Sequence, residues 1–151
     1  MKIAVQSEDF DLNFELARMR ESRQDIGALV SFVGLVRDLN DGETVSQLTL
    51  EHYPGMTEKA LRAIVADAAG RWAVLDATVI HRVGSLQASE QIVLVAVASA
   101  HRDQAFKACE FIMDYLKTQA PFWKKELTAS GERWLDDKDS DHDAQKRWQL
   151  P

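Results

Sequence analysis

Four short runs of the chain place cationic or titratable side chains where a fold would present them. The richest lies in the segment Met113–Glu126. From Lys117 to Glu126 it reads Lys-Thr-Gln-Ala-Pro-Phe-Trp-Lys-Lys-Glu. Phe111, Ile112, Tyr115 and Leu116 precede Lys117, and Pro121, Phe122 and Trp123 follow it. A lysine among such groups can lose hydration, which favours its neutral form and suits acid–base or covalent work. A plainer reading competes, because Lys117 stands on the last turn of a helix, where any cation is favoured. If the chain is extended after Pro121, Lys124 and Lys125 point to opposite sides. Glu126 then returns to the side of Lys124 and can pair with it.

The second run, Ser99-Ala100-His101-Arg102, joins the end of an apolar strand to the start of a helix. Unpaired N–H groups there, with Arg102 and His101, suit an oxyanion or a phosphate. The plainer alternative is a solvated strand end. The third run is Gly34-Leu35-Val36-Arg37, whose arginine can clamp a carboxylate or phosphate in bidentate fashion or be a simple surface arginine. The fourth, Glu51 to Met56, tempts with His52 beside Glu51. Adjacent strand residues face opposite ways, so the run reads as a turn. His81-Arg82 sits within a strand and reads as structural. Cys109 shares a helix face with Ala105, Ile112 and Leu116 and reads as core rather than nucleophile.

The elements that must position these groups follow from periodicity and punctuation. Lys2–Val5 predicts a strand, and Asp11 predicts the cap of a helix reaching about Arg20. Ile26–Val36 is apolar on both faces and predicts a strand covered on both sides. Residues 38–42 predict a mobile polar loop, and Val45–Tyr53 the next strand. Thr57 predicts a helix N-cap, with Gly70 as the stop. Leu75–Val83 and Gln91–Ala100 predict strands joined by a turn at Gly84-Ser85, the second of them central. Arg102–Thr118 predicts a long helix broken by Pro121. Phe122–Leu127 and Glu132–Leu135 predict a hairpin about Ser130-Gly131. Residues 136–151 form an acidic tail without a clear period, from which Trp148 can dock. Strands and helices mix without strict alternation, which predicts an α+β fold. The 151 residues predict one domain: residues 1–25 as an N-terminal strand and helix, 26–135 as the core, and 136–151 as the tail.

Composition narrows the partners. A net charge of −6 disfavours nucleic acid and anionic membranes, so a basic site must be a local pocket in an acidic envelope. The single cysteine offers no internal disulfide and no CxxC pair, so neither a metal nor a cofactor is called for. The N-terminal residues lack a long apolar core. That predicts neither a signal peptide nor a membrane span, with the cytoplasm as default compartment.

Several ordered motifs carry a resemblance. They are Leu50-Glu51-His52-Tyr53-Pro54-Gly55-Met56-Thr57, His81-Arg82-Val83-Gly84, Ser99-Ala100-His101-Arg102 and Phe111–Lys117 continuing through Ala120–Glu126. Together, from about Ile26 to Trp148, the chain resembles the large, catalytic subunit of molybdopterin synthase. The resemblance implies a sulfurtransferase of molybdenum cofactor biosynthesis with an α/β-hammerhead-like core and a small additional β subdomain. It implies conversion of a cyclic pyranopterin monophosphate to molybdopterin by insertion of two dithiolene sulfurs. The implied donor is a small ubiquitin-like partner, thiocarboxylated at its C-terminal glycine. The implied assembly is a heterotetramer around a central homodimer. Lys117 and Lys124 are implied as the catalytic pair. Leu35, Val36, Arg37, His101, Arg102, Lys125 and Glu126 are implied to bind substrate alongside them, His101 and Arg102 from the neighbouring subunit. Where many members of that family carry a basic residue this chain has Leu35, which removes a side-chain charge there and leaves a backbone contact. Two other classes compete: a non-catalytic scaffold that docks a ubiquitin-like tail, and a sensor of small phosphate ligands.

Overall fold

The computed structural model describes residues 1–136 and 139–149, the side chain of residue 139 excepted. The elements are β1 (Lys2–Gln6), α1 (Leu12–Arg20), β2 (Ala28–Leu35), β3 (Leu39–Asn40), β4 (Glu43–His52), α2 (Met56–Arg71), β5 (Asp76–Arg82), β6 (Gly84–Gln87), β7 (Gln91–Ser99), α3 (Arg102–Gln119), β8 (Phe122–Thr128), β9 (Gly131–Leu135) and α4 (Asp139–Lys146). Helices and strands mix as expected, and the strands fall into two sheets.

The first sheet has the order β1-β5-β7-β2, with β1 parallel to β5 and the other pairs antiparallel. Its two central strands explain its burial. Ala77, Val79, Val93, Val95 and Val97 point to one side, against Leu61, Ile64 and Val65 of α2 and Ala108, Phe111 and Ile112 of α3. Ile80, Leu94, Ala96 and Ala98 point to the other, against Met19 of α1 and Phe10 just before that helix. Strands covered on both faces bury side chains of either parity, which is why both are mainly apolar. Asp11 caps α1 by accepting the Phe14 N–H at 3.0 Å.

The second sheet has the order β3-β4-β8-β9, and β6 also pairs with β4. Leu48, Leu50 and Leu86 close its inner side against Val36, with Val83, Ile92 and Leu135 around them. Gly84 makes the passage from one sheet to the other. Its φ of +92° is a conformation that glycine adopts without penalty. The chain thereby leaves β5 and pairs Gly84 with Leu50 of β4.

As expected, β2 is covered on both faces over its first part, Ala28 and Val30 packing on one core cluster and Leu29 and Val33 on the other, but it is an edge strand, and Phe32 and Leu35 are exposed. Three expectations are corrected. Residues 38–42 are not a loose loop: β3 pairs with β4 through a two-residue turn at Asp41-Gly42, both at positive φ. Gly84-Ser85 is not a turn but the start of a further strand, β6, and the turn into β7 follows at residues 88–90. The cap of α2 is Gly55, whose N–H donates to the Glu58 carboxylate at 3.0 Å. Thr57 lies one residue inside that helix, which runs past Gly70 to Arg71.

The tail contains α4, and Trp148 docks as expected. Its ring lies edge-on to Trp72 and Phe111 at 5.4 and 5.7 Å. Residues 137, 138, 150 and 151 of that tail lie outside the described residues.

Candidate active site

At the junction of the two sheets lies a cavity of about 240 Å³. The end of β2 brings Leu35, Val36 and Arg37 to it, β3 brings Asn40, and β5 brings His81. The C-terminal turn of α3 brings Lys117, and β8 brings Phe122, Lys124 and Glu126. Asp136 and Asp141 also face it. Residues distant in sequence thus place three cations, Arg37, Lys117 and Lys124, around one space.

Each cation is held by a local device. Val36 is buried and exchanges backbone hydrogen bonds with the β6–β7 turn. Its N–H donates to Glu90 O at 2.9 Å, and its carbonyl accepts from Ser89 N–H at 2.8 Å. Arg37 therefore starts from a fixed backbone. Between the lysines, Thr57 fixes the bend. Its hydroxyl donates to the Pro121 carbonyl at 3.0 Å and accepts from Tyr53 N–H at 2.9 Å. The motif around Tyr53 and Thr57 is therefore tied to the lysine segment by side-chain chemistry.

Strand alternation sorts the two adjacent lysines as expected. Lys124 lines the cavity, while Lys125 lies on the other face of β8. There its ammonium sits 3.5 Å from Glu132 and 5.3 Å from the Trp134 ring centroid. Glu126 returns to the cavity side, where Asn40 and Arg133 engage its carboxylate. Asn40 Nδ2 donates to both oxygens at 3.1 and 3.0 Å, and Arg133 Nε donates at 3.0 Å. Lys117 reaches the cavity yet is exposed, so the surrounding apolar residues do not strip it of water in the single chain. Leu35 and Arg37 are exposed too.

His101 and Arg102 lie elsewhere. His101 caps α3 and both residues are exposed, beyond the Ser99 end of β7. Ile92, near the opposite end of β7, lines the cavity. The strand between them separates the two places by roughly 27 Å. Within one chain these residues and the lysines do not share a ligand.

Three contributors escaped the sequence reading: His81, Asn40 and Arg133. His81 is 3% exposed and faces the cavity. Burial, with the positive charges of Lys124 and Lys117 adding to it, pushes its pKa down to about 3. It stands between Ile80 and Arg82 near the end of β5, and nothing in that local run marked it as facing a site. Its place inside the His81-Arg82-Val83-Gly84 motif was the available signal. Cys109 is buried as expected. Its thiol donates to the Val95 carbonyl at 3.7 Å, and burial pushes its pKa up to about 12, which removes it as a nucleophile. His52 approaches Glu58 at 3.9 Å rather than Glu51. No group of three or more His, Cys, Asp or Glu able to hold a metal occurs among the described residues.

The arrangement is suited to gathering anions, stabilising negative charge and moving protons. Known proteins agree on its kind. A family model described as MoaE protein matches residues 5–119. A molybdopterin synthase catalytic subunit from Ralstonia nicotianae is 62% identical over 146 residues, covering 97% of this chain and 83% of the relative. The molybdopterin biosynthesis MoaE protein of Burkholderia ambifaria superposes with a TM-score of 0.85 at 53% identity, covering 99% of each chain. The molybdopterin synthase of Staphylococcus aureus gives a TM-score of 0.79 at 33% identity, covering 89% of this chain and 96% of that one. Three-quarters of the chain lies within the family match, and the relatives span nearly all of it, so this chain belongs to the MoaE family.

Proposed function

We propose that the cavity is the sulfur-transfer site of a molybdopterin synthase catalytic subunit. The observation that carries the reading is the convergence of Lys117 and Lys124, from α3 and β8, on one space shared with Arg37. The substrate is a cyclic pyranopterin monophosphate, the product is molybdopterin, and two sulfurs are added. With its only thiol buried and held protonated, the chain imports sulfur rather than relaying it. The donor is the C-terminal thiocarboxylate of a small ubiquitin-like subunit. That a relative is named as a catalytic subunit supports the existence of a companion subunit. Each transfer forms a carbon–sulfur bond on the pterin side chain and breaks a carbon–oxygen bond at the same carbon, the oxygen leaving as water or staying with the phosphate as its cyclic ester opens. Water then breaks the carrier's acyl–sulfur bond, and the carrier leaves as a carboxylate.

The residues divide the work by position. Lys117 acts at the reacting carbon and the thiocarboxylate, stabilising negative charge or moving a proton, and Lys124 supports the same intermediate. Arg37 and the backbone of Leu35 and Val36 hold the phosphorylated substrate. His101 and Arg102 complete that hold from a second copy of the chain, since the length of β7 keeps them from their own cavity. A central homodimer with a small subunit at each end follows from that sharing, and the cytoplasm is its compartment. Lys125, on the outer face, belongs to the carrier's docking side. The second sheet corresponds to the small β subdomain, and the first sheet with its helices to the hammerhead core.

The deciding experiment mixes this chain with precursor and thiocarboxylated carrier and weighs the pterin product. Two added sulfurs are expected with the wild type and none with Lys117→Ala. Full dithiolene formation by Lys117→Ala would sink the assignment.

A further inference from the structure

We infer that Arg82 is a positioning residue of this site, acting through Glu90 on the turn that fixes the backbone of Leu35, Val36 and Arg37. The inference rests on the sulfur-transfer reading of the cavity and adds the device that sets its substrate-holding edge.

That edge needs such a device. β2 pairs with β7 in regular register from Ala28 to Gly34, and the register then shifts between Gly34 and Leu35. A bulge re-aims the residues after it and disrupts the ladder that guided them. The paired residues of β2 end at Leu35, and the turn between β6 and β7 takes over. Val36 N–H donates to Glu90 O at 2.9 Å, and Val36 O accepts from Ser89 N–H at 2.8 Å. The start of Arg37 is therefore only as well defined as that turn.

Backbone alone does not hold the turn. Ser89 stands at a φ of +73°, a left-handed conformation that a serine keeps only under restraint. Glu90 supplies the restraint. Its Oε2 accepts from Gln87 N–H at 2.7 Å and closes the turn, while its Oε1 accepts from Arg82 Nη1 at 3.4 Å. Arg82 is 7% exposed, and a guanidinium so buried requires a carboxylate and a full set of acceptors. Ser7 O accepts from its Nε and Nη2 at 3.1 and 2.9 Å, and Gln91 O accepts from Nη1 at 3.0 Å. The Asp9 carboxylate stands beside it at 3.9 Å. The fork is thus anchored to the segment before α1 and to β7, and Glu90 is the side chain through which it reaches the turn. Neither Arg82 nor Glu90 lines the cavity, so both act through the backbone around Val36.

A competing account makes Arg82 a staple of the segment at Ser7, with no bearing on the site. Glu90→Ala separates the two, because it leaves the Ser7 bonds and Asp9 in place. The sulfur-transfer assay is run on the wild type, Glu90→Ala, Glu90→Gln and Arg82→Gln, with amide hydrogen exchange followed by NMR on the same proteins. Glu90→Ala and Arg82→Gln should each raise KM for the phosphorylated substrate by about five- to tenfold, with kcat within about twofold and KM for the carrier unchanged. The Val36 and Ser89 amides should exchange about tenfold faster in Glu90→Ala, while the Val95 amide, central in β7, keeps its wild-type rate. Glu90→Gln, which keeps an acceptor for Gln87 N–H, should fall between wild type and Glu90→Ala. Wild-type exchange at Val36 and Ser89 in Glu90→Ala overturns the inference, and so does faster exchange there with an unchanged KM. A rise in KM with equally faster exchange at Val95 also overturns it, since that is a loss of global stability. Should Arg82→Gln fail to fold, the two Glu90 variants decide by the same criteria. If the wild type forms no dithiolene, the sulfur-transfer reading fails on its own, and the exchange pattern still decides whether the turn governs this backbone.

Discussion

The imidazole of His81 lies almost flat on the ring of Phe122, with centroids 3.8 Å apart and planes 19° apart. His81 belongs to the first sheet and Phe122 opens the strand that carries Lys124, so the stack joins the two sheets inside the cavity. His81 Nδ1 lies 2.8 Å from the Arg82 carbonyl. A carbonyl only accepts, so Nδ1 carries the proton and Nε2 is left as an acceptor. Among Arg37, Lys117 and Lys124, which only donate, the ring supplies a neutral acceptor.

That neutrality has a pH signature. The folded chain holds His81 near a pKa of about 3, against an ordinary 6.5. Between those values the unfolded chain binds the additional proton, so stability rises with pH across that window. The contribution is whole above the unfolded value and is lost as pH falls towards the folded one, at about 1.4 kcal/mol per pH unit. Urea unfolding at a series of pH values should show a shallower acid slope for His81→Gln than for the wild type. Equal slopes would mean that His81 protonates normally in the fold.

The two lysines of β8 should separate sharply. Lys124→Ala should lower kcat by about 10²- to 10⁴-fold, the range for a lost acid–base or charge-stabilising group. Lys125→Ala, whose ammonium faces Glu132 and Trp134, should leave kcat within about threefold and act on carrier affinity instead. Single-turnover kinetics with saturating carrier makes the comparison. Equal losses of kcat would place both side chains in the cavity.

Sharing of the site between copies is testable by mixing variants. Lys117→Ala and His101→Ala chains, each inactive alone, should recover about a quarter of wild-type activity when unfolded and refolded together, because half of each hybrid's sites are intact. A site built within one chain would give no recovery.

Stability rests on the helices over the first sheet. Phe111 is fully buried, packed on Tyr115 and Trp72 and covered by Trp148. Arg71 lies over its ring at 4.6 Å from the centroid. Phe111→Ala should cost about 3–5 kcal/mol in denaturant unfolding. A cost under about 1 kcal/mol would mean that the cluster is not formed in solution.

Where local chemistry and packing agreed, the elements were legible. Asp11 capped its helix, Pro121 ended α3, and the apolar run Ile92–Val97 lay in a central strand. The reading failed where a tertiary partner decided. Phe32 and Leu35 are apolar like the core, but β2 has no neighbour on one side. Thr57 has the chemistry of a cap, yet its hydroxyl joins Tyr53 to Pro121. The Asp41-Gly42 turn pairs β3 with β4, although so short a strand carries no period. In the site, the lysines and Arg37 were visible as cations near apolar runs. His81, Asn40 and Arg133 were not, because their meaning comes from cross-sheet and cross-strand contacts that no sequence window contains.

The strand β7 has a consequence for how this molecule can vary. Ile92 of β7 faces one cavity, while His101 follows its far end. Under the shared-site reading, the strand acts as a ruler between two cavities. Adding or deleting one residue within Gln91–Ser99 would turn Val95 and Ala96 to each other's faces and misplace the two ends together. Length variation should therefore be tolerated at hairpin tips such as Asp41-Gly42 and Ser130-Gly131 and refused along this strand.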